Sequence, residues 1–401
     1  MNARRQYIFL FPLILLSAVF TAATSSSVPV SKDVRSFEIE FFADQIHIDY
    51  SPDMVVAEPN RLDNQTIDRL YRRLESLPVD VLLNSLLERK REYQLNDYLF
   101  YKLASYSLAA IYRGSSYKIR EITLFHLLAN AGYDVRLTFR GEKAYVNVFT
   151  EDALFEVPII DHNDKAYANL SCLNGECTGR QSLYIYRSQP NPNGRPFSFK
   201  LTKWPDLAAR PKARPLEFSY HGLVQRLEVV FDQTMVDIMV DYPFIHEYCY
   251  LETPLSPTLS KSLLPRLRSM LSPLSEQEQL ELLASFTRSA FTYKEDNEYF
   301  GRSKPMVPEE VFSYAYSDCE DRSALFFALV RELLDKPMAV IAYEDHLTVA
   351  VASDIIPGDS FSYHGRRYVF CDPTGPRGSS RIGEIPPGYE NKSFTIIGEY
   401  K

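Results

Sequence analysis

The sequence of this chain predicts an α+β fold. Several segments carry apolar residues at helical spacing, and shorter segments in which apolar and polar residues alternate follow them. In the middle of the chain, short strand-like segments are broken by proline and glycine, which indicates a β-rich module.

The composition is that of a folded protein with more than one domain. The 401 residues suffice for two or three domains with their own cores, and 45% apolar and 24% charged residues are ordinary values for a globular chain. The net charge of -8 argues against nucleic acid as a partner, because binding to phosphates needs a basic surface.

Residues 1–23 have the pattern of a secretory signal peptide. Arg4 and Arg5 precede an apolar stretch at 7–18, and Thr21 and Ala23 fit a cleavage site. A membrane anchor is the alternative, although the apolar stretch is shorter than the roughly 20 residues of a membrane-spanning helix. We therefore expect a periplasmic or secreted protein with no stable membrane span after cleavage.

Two regions precede the last part of the chain. Residues 24–178 predict an N-terminal αβ region, with strands within 37–50 and at 135–139 and 144–149, and helices at 64–71, 79–87, 96–112 and 121–130. Residues 179–257 predict the β-rich module, with strands at 183–186, 197–202, 216–220 and 226–231.

The five cysteines permit disulfides in an exported protein. Cys172 and Cys177 flank a turn signal at 174–175, so we expect a local bridge, with free thiols or a metal site as the alternatives. His162 alone does not complete a metal site there. The other three cysteines leave at least one thiol unpaired.

Residues 258–401 predict a C-terminal domain with two helices followed by strands. Ser275 and Glu278 have the spacing of a capping box at the start of the first helix. A loop at 292–316 leads to the second helix, and strands are predicted at 338–343, 346–352 and 366–372.

The second helix begins with a candidate nucleophile, Cys319. Ser317 and Glu320 have capping-box spacing, which would make Ser317 the N-cap and Cys319 the second helical residue. Free backbone N–H groups at a helix start favour the thiolate and can stabilise an oxyanion. Asp318, Glu320 and Asp321 oppose this electrostatically, so a thiolate here needs a cationic partner.

His346 and Asp372 are the candidate partners. If strands 346–352 and 366–372 form an antiparallel hairpin in which position 352 pairs with 366, then His346 lies directly opposite Asp372. Taken singly, such residues are most often a core thiol, a surface histidine and a strand terminator. Together they predict a triad of nucleophile, base and orienting carboxylate.

These segments resemble the transglutaminase-like superfamily of papain-like folds. The resemblance rests on the pentapeptide at 317–321, the strand that begins with His346, and the hexapeptide at 369–374. The segment 308–311 also resembles the one that precedes the nucleophile in such bacterial domains. The resemblance is close over residues 260–401, and the whole chain more loosely resembles exported Bacteroides-type proteins with this C-terminal domain.

The resemblance implies Cys319 as nucleophile, His346 as base and Asp372 as orienting residue, with no cofactor and no metal. Tyr293 and Tyr316 are both candidates for an oxyanion-stabilising side chain. The implied reaction is thiol acyl transfer on a peptide, protein or cell-wall amide.

The reaction type and the presence of catalysis both stay open at this stage. An exported protein favours a peptidase or amidase over a cross-linking enzyme. The alternative is a non-catalytic protein that keeps the fold and binds peptides or glycans or takes part in surface assembly. Motifs of metalloproteases, serine hydrolases, P-loop proteins and dinucleotide-binding proteins are absent, whereas paired carboxylates for glycoside chemistry cannot be judged from sequence.

Residues 96–158 predict the same order of helices and strands as the C-terminal domain. Aligning positions 123–125 with 324–326 gives these pairs: Lys118 with Cys319, Lys143 or Ala144 with His346, and Val157-Pro158 with Asp372-Pro373. A degenerate copy that packs or binds is one interpretation, and chance similarity between αβ patterns is the other.

Overall fold

A computed structural model describes residues 33–115, 117–173, 183–375 and 380–401 of the chain. Helices and antiparallel sheets are both present, which confirms the predicted α+β class. Within these ranges no helix is long and apolar enough to cross a bilayer. The predicted signal peptide and Cys177 lie outside the described residues.

The first half of the chain begins with a strand pair, continues with helices and ends in a sheet. Its elements are β1 (Arg35–Phe41), β2 (Asp44–Tyr50), α1 (Asn64–Glu75), α2 (Val79–Glu92), α3 (Asp97–Ile111), α4 (Tyr117–Asn130), β3 (Val135–Arg140), β4 (Lys143–Phe149), β5 (Ile159–His162), β6 (Lys165–Asn169) and β7 (Tyr184–Ile185). Strands β1 and β2 form a hairpin, and the other five form a sheet in the order β5-β6-β4-β3-β7.

The second half repeats this plan with additional short elements. They are β8 (Pro211–Tyr220), β9 (Leu223–Asp232), α5 (Gln233–Val240), α6 (Glu247–Glu252), α7 (Pro257–Leu271), α8 (Glu276–Ser289), β10 (Thr292–Tyr293), α9 (Asp296–Tyr299), α10 (Pro308–Val311), β11 (Tyr316–Ser317), α11 (Cys319–Leu334), β12 (Met338–Ala342), β13 (Leu347–Ala352), β14 (Ser360–Tyr363), β15 (Arg366–Cys371) and β16 (Thr395–Tyr400). Strands β8 and β9 form a hairpin, β10 pairs with β11 in parallel, and β12–β16 form a sheet.

The two five-stranded sheets have the same topology. The order of the second is β14-β15-β13-β12-β16, so each strand occupies the place of its counterpart in the first sheet. In both halves a long helix, α4 or α11, immediately precedes the sheet. The pairing of Val157-Pro158 with Asp372-Pro373 is nevertheless wrong. Positions 157–158 precede β5, the counterpart of β14, whereas Asp372 follows β15, the counterpart of β6.

Residues 179–257 differ from the β-rich module that the sequence predicts. Only one short strand there joins the first sheet, the backbone at 197–200 forms no strand, and residues 233–252 contain helices α5 and α6. Their buried side chains divide between the hydrophobic clusters of the two halves. The hairpin β8–β9 belongs to the second cluster, so this region joins two cores instead of forming its own.

Helix α11 is the central element of the second core. Leu325, Ala328 and Leu329 are fully buried, and so are their neighbours Phe326 and Val330. A helix that is apolar on every side must be surrounded by other elements. Here the sheet, α6, α7 and α8 contact it. This burial holds the first turn of α11 rigidly in place.

We expect Leu329→Ala to lower the free energy of unfolding by about 2–5 kcal/mol, because it leaves a cavity beside α11 where Leu329 is fully buried. The matched control is Leu223→Ala at the start of β9, where the side chain is 66% exposed and the change should stay within about 0.5 kcal/mol. Urea unfolding followed by circular dichroism measures both. Equal losses in the two variants would contradict the central position of α11.

Candidate active site

Cys319 is the first residue of helix α11, and Asp318 is its N-cap residue. The backbone N–H of Asp318 donates to Asp321 Oδ2 at 3.0 Å, which is the geometry of a capping box. Residues in the first turn of a helix lie beside N–H groups that have no partner within the helix. The thiol therefore sits at a helix start, as the sequence predicts.

The predicted N-cap is wrong by one residue. Ser317 lies in β11, where it pairs with Tyr293. Its hydroxyl accepts a hydrogen bond from Arg322 Nε at 3.1 Å, so it does not cap the helix. Because the cap moves to the next residue, Glu320 loses its predicted capping role and is free to contact the thiol.

His346 lies in the loop between β12 and β13. Its backbone carbonyl accepts a hydrogen bond from Tyr343 N at 2.8 Å, which closes the loop. The imidazole packs against the ring of Tyr389, with centroids 4.9 Å apart, and more distantly against Tyr343. These two aromatic neighbours restrict the orientation of the ring.

Strands β13 and β15 pair antiparallel, as predicted, but the predicted register is wrong by two residues. Ala352 pairs with Tyr368 instead of Arg366. The cause is strand β14, which the sequence interpretation omits. It forms a tight hairpin with β15 through His364 and Gly365, both with positive φ.

The two-residue shift in register keeps the side chains of His346 and Asp372 close together. Side chains in a strand alternate between faces, so an even shift keeps each side chain on its face. Asp372 lies one residue beyond the end of β15, and His346 lies one residue before the start of β13. The two side chains are diagonal neighbours instead of direct opposites, and His346 Nε2 lies 3.5 Å from Asp372 Oδ1.

Asp372 is held by several donors. Its Oδ1 accepts hydrogen bonds from Thr348 Oγ1 at 3.2 Å, from Thr374 Oγ1 at 2.8 Å and from Thr374 N at 3.2 Å. Arg288 donates to its backbone carbonyl. The contact with His346 is longer than a well-formed N–H···O bond, and Nε2 has no hydrogen-bond partner in the described part of the chain.

Asp372 is an anion at neutral pH in spite of its burial. Burial alone would raise the pKa of this carboxyl group. The adjacent His346 ring, the Thr374 hydroxyl and the Arg288 guanidinium outweigh that effect, and the pKa of Asp372 lies below its usual value. The contact with Asp372 orients the His346 ring and sets which ring nitrogen faces the carboxylate.

Two cavities meet at His346. The first, of about 300 Å³, is lined by Cys319, His346 and a set of acidic residues. The second, of about 320 Å³, is lined by His346, Asp372 and Tyr293, among others. The imidazole therefore lies between the thiol side and the carboxylate side, so the structure brings the three predicted site residues into one region.

Arg322 is a residue of the site that sequence reasoning missed. Its guanidinium donates to the carbonyls of Phe291 and Thr374, both at 2.5 Å, in addition to Ser317 Oγ. Burial lowers its pKa to about 10, so it remains charged at neutral pH. The available signal was an arginine in the first turn of the helix, just before the apolar run at 324–330.

The two candidates for the oxyanion-stabilising side chain differ in position. Tyr293 lines the cavity that contains Asp372, and its hydroxyl donates to Glu295 Oε1 at 2.9 Å. Burial, followed by the nearby Cys319, raises the pKa of Tyr293, so the hydroxyl keeps its proton. Tyr316 instead packs edge-on against Tyr299. Tyr293 is the better placed of the two.

The surroundings of Cys319 favour the protonated form of its thiol. Cys319 is 7% exposed, and its Sγ donates a hydrogen bond to Glu320 Oε2 at 2.9 Å. Burial raises the pKa of Cys319 well above its ordinary value, and the charges of Glu320 and Asp318 raise it further. The helix start is expected to favour the thiolate. This effect is outweighed, mainly because the buried thiol is removed from water.

Three carboxyl groups near the thiol are also buried. Burial raises the pKa of Asp296 to about 6. Burial, then the neighbouring carboxylates, also raises the pKa values of Asp318 and Asp321. Groups so close together cannot all ionise without a compensating charge.

Two sets of side chains offer the ligand atoms that a metal ion would need. One set is Asp296, Asp318 and Asp321, the other is Asp318, Cys319 and Glu320, and within each set the atoms lie within 4.8 Å of one another. In the first set, Asp321 accepts backbone hydrogen bonds from two residues, and Asp296 accepts one. These carboxylates therefore already stabilise the protein backbone, and their arrangement does not require a metal.

The cysteines do not compete for the candidate nucleophile. Cys249, Cys319 and Cys371 are free and buried, so Cys319 is not bridged to either of them. Cys172 is disulfide-bonded, and Cys177, the partner that the sequence predicts, lies outside the described residues.

Comparisons with family models, with curated proteins and with solved structures found no match for this chain. The interpretation of the site therefore rests on its own residues and their geometry.

We expect Glu320→Gln to increase the alkylation of Cys319 by iodoacetamide. Removing the carboxylate beside Sγ lowers the thiol pKa, and each unit gives about tenfold more thiolate at a pH below that pKa. The rise of the rate with pH should therefore shift to lower pH. Peptide mapping by mass spectrometry measures the rate at this cysteine alone.

The matched control for this substitution is Glu332→Gln, which makes the same change near the other end of α11 and should leave the rate unchanged. Slower alkylation in Glu320→Gln would instead mean that Glu320 accepts the thiol proton and promotes its reactivity.

Proposed function

We propose that this chain is an exported, transglutaminase-like cysteine peptidase or amidase that acts on peptide or isopeptide amides through a thiol acyl-enzyme. The observation that carries the proposal is the arrangement of Cys319, His346 and Asp372. The thiol is at a helix start, and the imidazole lines the same cavity and lies 3.5 Å from a buried carboxylate. Export rests on the sequence pattern of residues 1–23.

The first step is attack on an amide carbonyl. Cys319 Sγ forms a bond to the carbonyl carbon while its proton passes to His346. Because His346 Nε2 faces Asp372, Nδ1 is the nitrogen available to the thiol and to the leaving amine. The Asp372 carboxylate stabilises the imidazolium that forms and holds the ring in the required tautomer.

The second step converts the tetrahedral intermediate into the acyl-enzyme, which water then hydrolyses. The tetrahedral oxyanion needs hydrogen-bond donors, which the first-turn N–H groups of α11 supply, together with Tyr293 if its hydroxyl leaves Glu295. The imidazolium then protonates the leaving amine, whose bond to the carbonyl carbon breaks. Water, which gives a proton to the neutral imidazole, then attacks the thioester carbonyl carbon. The C–S bond breaks, the acid leaves, and Sγ takes back the proton from the imidazolium.

Catalysis in this scheme requires the thiol to break its hydrogen bond with Glu320 and to give its proton to His346. In the present arrangement the thiol donates to Glu320 and is almost buried. A substrate carbonyl in the cavity would bring the reacting atom to Sγ. Transfer of the proton to His346 then turns one neutral thiol and one neutral imidazole into an ion pair that Asp372 stabilises.

A second candidate function has support from the same observation. A buried thiol with a raised pKa is a poor nucleophile, and this favours a non-catalytic protein that keeps the fold and binds peptides or glycans. The two functions differ in one measurable property, which is the reactivity of Cys319 and its dependence on His346.

The test is acylation of the mature protein by p-nitrophenyl acetate and by peptide amides at neutral pH under reducing conditions. We expect a thioester on Cys319, seen by intact mass spectrometry, and its loss in Cys319→Ser. His346→Ala should reduce the rate by about 10²-fold or more, and Asp372→Asn should also reduce it strongly.

Cys249→Ser is the matched control for the thiol, because Cys249 is also free and buried but lies outside both cavities. It should leave acylation unchanged. If the wild-type protein forms no thioester, and iodoacetamide labels Cys319 no faster than it does in His346→Ala, then the binding function replaces the catalytic one.

A further inference from the structure

The cavity in front of Cys319 is lined by an unusual number of carboxyl groups. Seven of its fifteen lining residues are acidic, and they come from four separate parts of the chain: Glu247, Glu295, Asp296, Asp318, Glu320, Glu344 and Asp345. His346 is the one lining residue of the described chain that can carry a positive charge, since no lysine or arginine lines this cavity.

Some of these carboxyl groups already have partners. Asp345 accepts hydrogen bonds from Tyr389 and Lys392, and Glu295 accepts one from Tyr293. Asp296 accepts one from a backbone N–H. The one cation among these donors is Lys392, which pairs with Asp345, and the other donors are neutral groups.

Asp318 provides an independent observation that points to a ligand. It is 4% exposed, it lines the cavity, and its Oδ1 has no hydrogen-bond partner among the described residues. A buried carboxylate oxygen without a partner costs free energy, and such groups are rare in folded proteins. An oxygen of this kind beside the nucleophile is placed to accept a hydrogen bond from a ligand.

We propose that this cavity is a subsite for a cationic group of the substrate, an ammonium or guanidinium group such as a lysine or arginine side chain next to the reacting amide. The inference rests on the proposed function, because it assigns the substrate class of the same site. The volume of about 300 Å³ suits one side chain. A cation there relieves the repulsion among the carboxyl groups and supplies a donor for Asp318 Oδ1.

Acidic residues at the rim of the cavity also favour the approach of a cationic substrate. Glu295 and Glu344 are exposed at its edge, whereas Asp296 and Asp318 are buried within it. A cleft lined by charges of one sign concentrates ligands of the opposite sign. A negatively charged group would meet repulsion along the whole path to Sγ.

The test measures the reaction of Cys319 with thiol reagents that differ in charge. Methanethiosulfonates react by one chemistry: the thiolate forms a new S–S bond, and methanesulfinate leaves with the electron pair of the old one. The three reagents are the cationic 2-aminoethyl, the anionic 2-sulfonatoethyl and the neutral methyl compound. Peptide mapping reads Cys319 separately from the other cysteines, and EDTA keeps divalent metal ions from the carboxylates.

We expect the cationic reagent to be favoured over the anionic one by about tenfold or more, after each rate is divided by the rate with free glutathione. The double variant Glu295→Gln with Glu344→Gln should reduce this preference by about threefold or more, because it removes two negative charges from the rim of the cavity. Both residues are exposed, so folding should not be affected. The matched control is Glu38→Gln with Glu40→Gln on β1, which makes the same change in net charge in the other half of the chain.

The outcomes separate this inference from the function on which it rests. Equal normalised rates for the two charged reagents would overturn the cationic subsite and leave acyl transfer standing. An equal loss of preference in the control variant would also overturn it, because overall charge would then be the cause. Failure of all three reagents, the neutral one included, would overturn the acyl-transfer function and the subsite with it.

Discussion

The site depends on the burial of one arginine. The guanidinium of Arg322 has acceptors on three segments: Ser317 at the end of β11, Phe291 just before β10, and Thr374 two residues after Asp372. A guanidinium keeps its charge at neutral pH, so its burial is stable only where every acceptor is in place. The helix that carries Cys319 and the strand end that carries Asp372 are therefore fixed relative to each other by one side chain.

Local signals were enough to place Cys319 at a helix start and to place His346 and Asp372 within one residue of a strand end. A polar residue before a helical pattern puts Cys319 in a first turn, and alternating patterns put His346 and Asp372 at strand ends. The N-cap and the register were wrong, because each is decided by a competing local interaction. Ser317 is used by Arg322, and the turn at 364–365 belongs to a strand that was not recognised.

The electrostatics of the site could not be predicted in the same way. Asp296 comes from a segment that the sequence describes only as a loop, and its carboxylate binds the backbone of Lys304 close to Asp321. The depth of Cys319 below the surface is likewise a property of the packed domain. The sequence shows that acidic residues flank the thiol, but only the fold shows that burial is the larger reason for the raised pKa of Cys319.

The two halves of the chain have the same sheet topology but carry different side chains at equivalent positions. In the first half, Lys118 at the start of α4 forms an ion pair with Glu142 in the turn between β3 and β4. In the second half, the corresponding helix start and loop carry Cys319 and His346. Lys118 also pairs with Glu58, so this lysine is held by two carboxylates and needs no ligand. Next to the thiol, His346 Nε2 and Asp318 Oδ1 have no hydrogen-bond partner among the described residues, and a ligand could complete both groups. Buried polar atoms without a partner also occur in the first half, among them His126 Nδ1 and Asn147 Oδ1. The second half is distinguished by the candidate nucleophile Cys319 that lies beside such atoms.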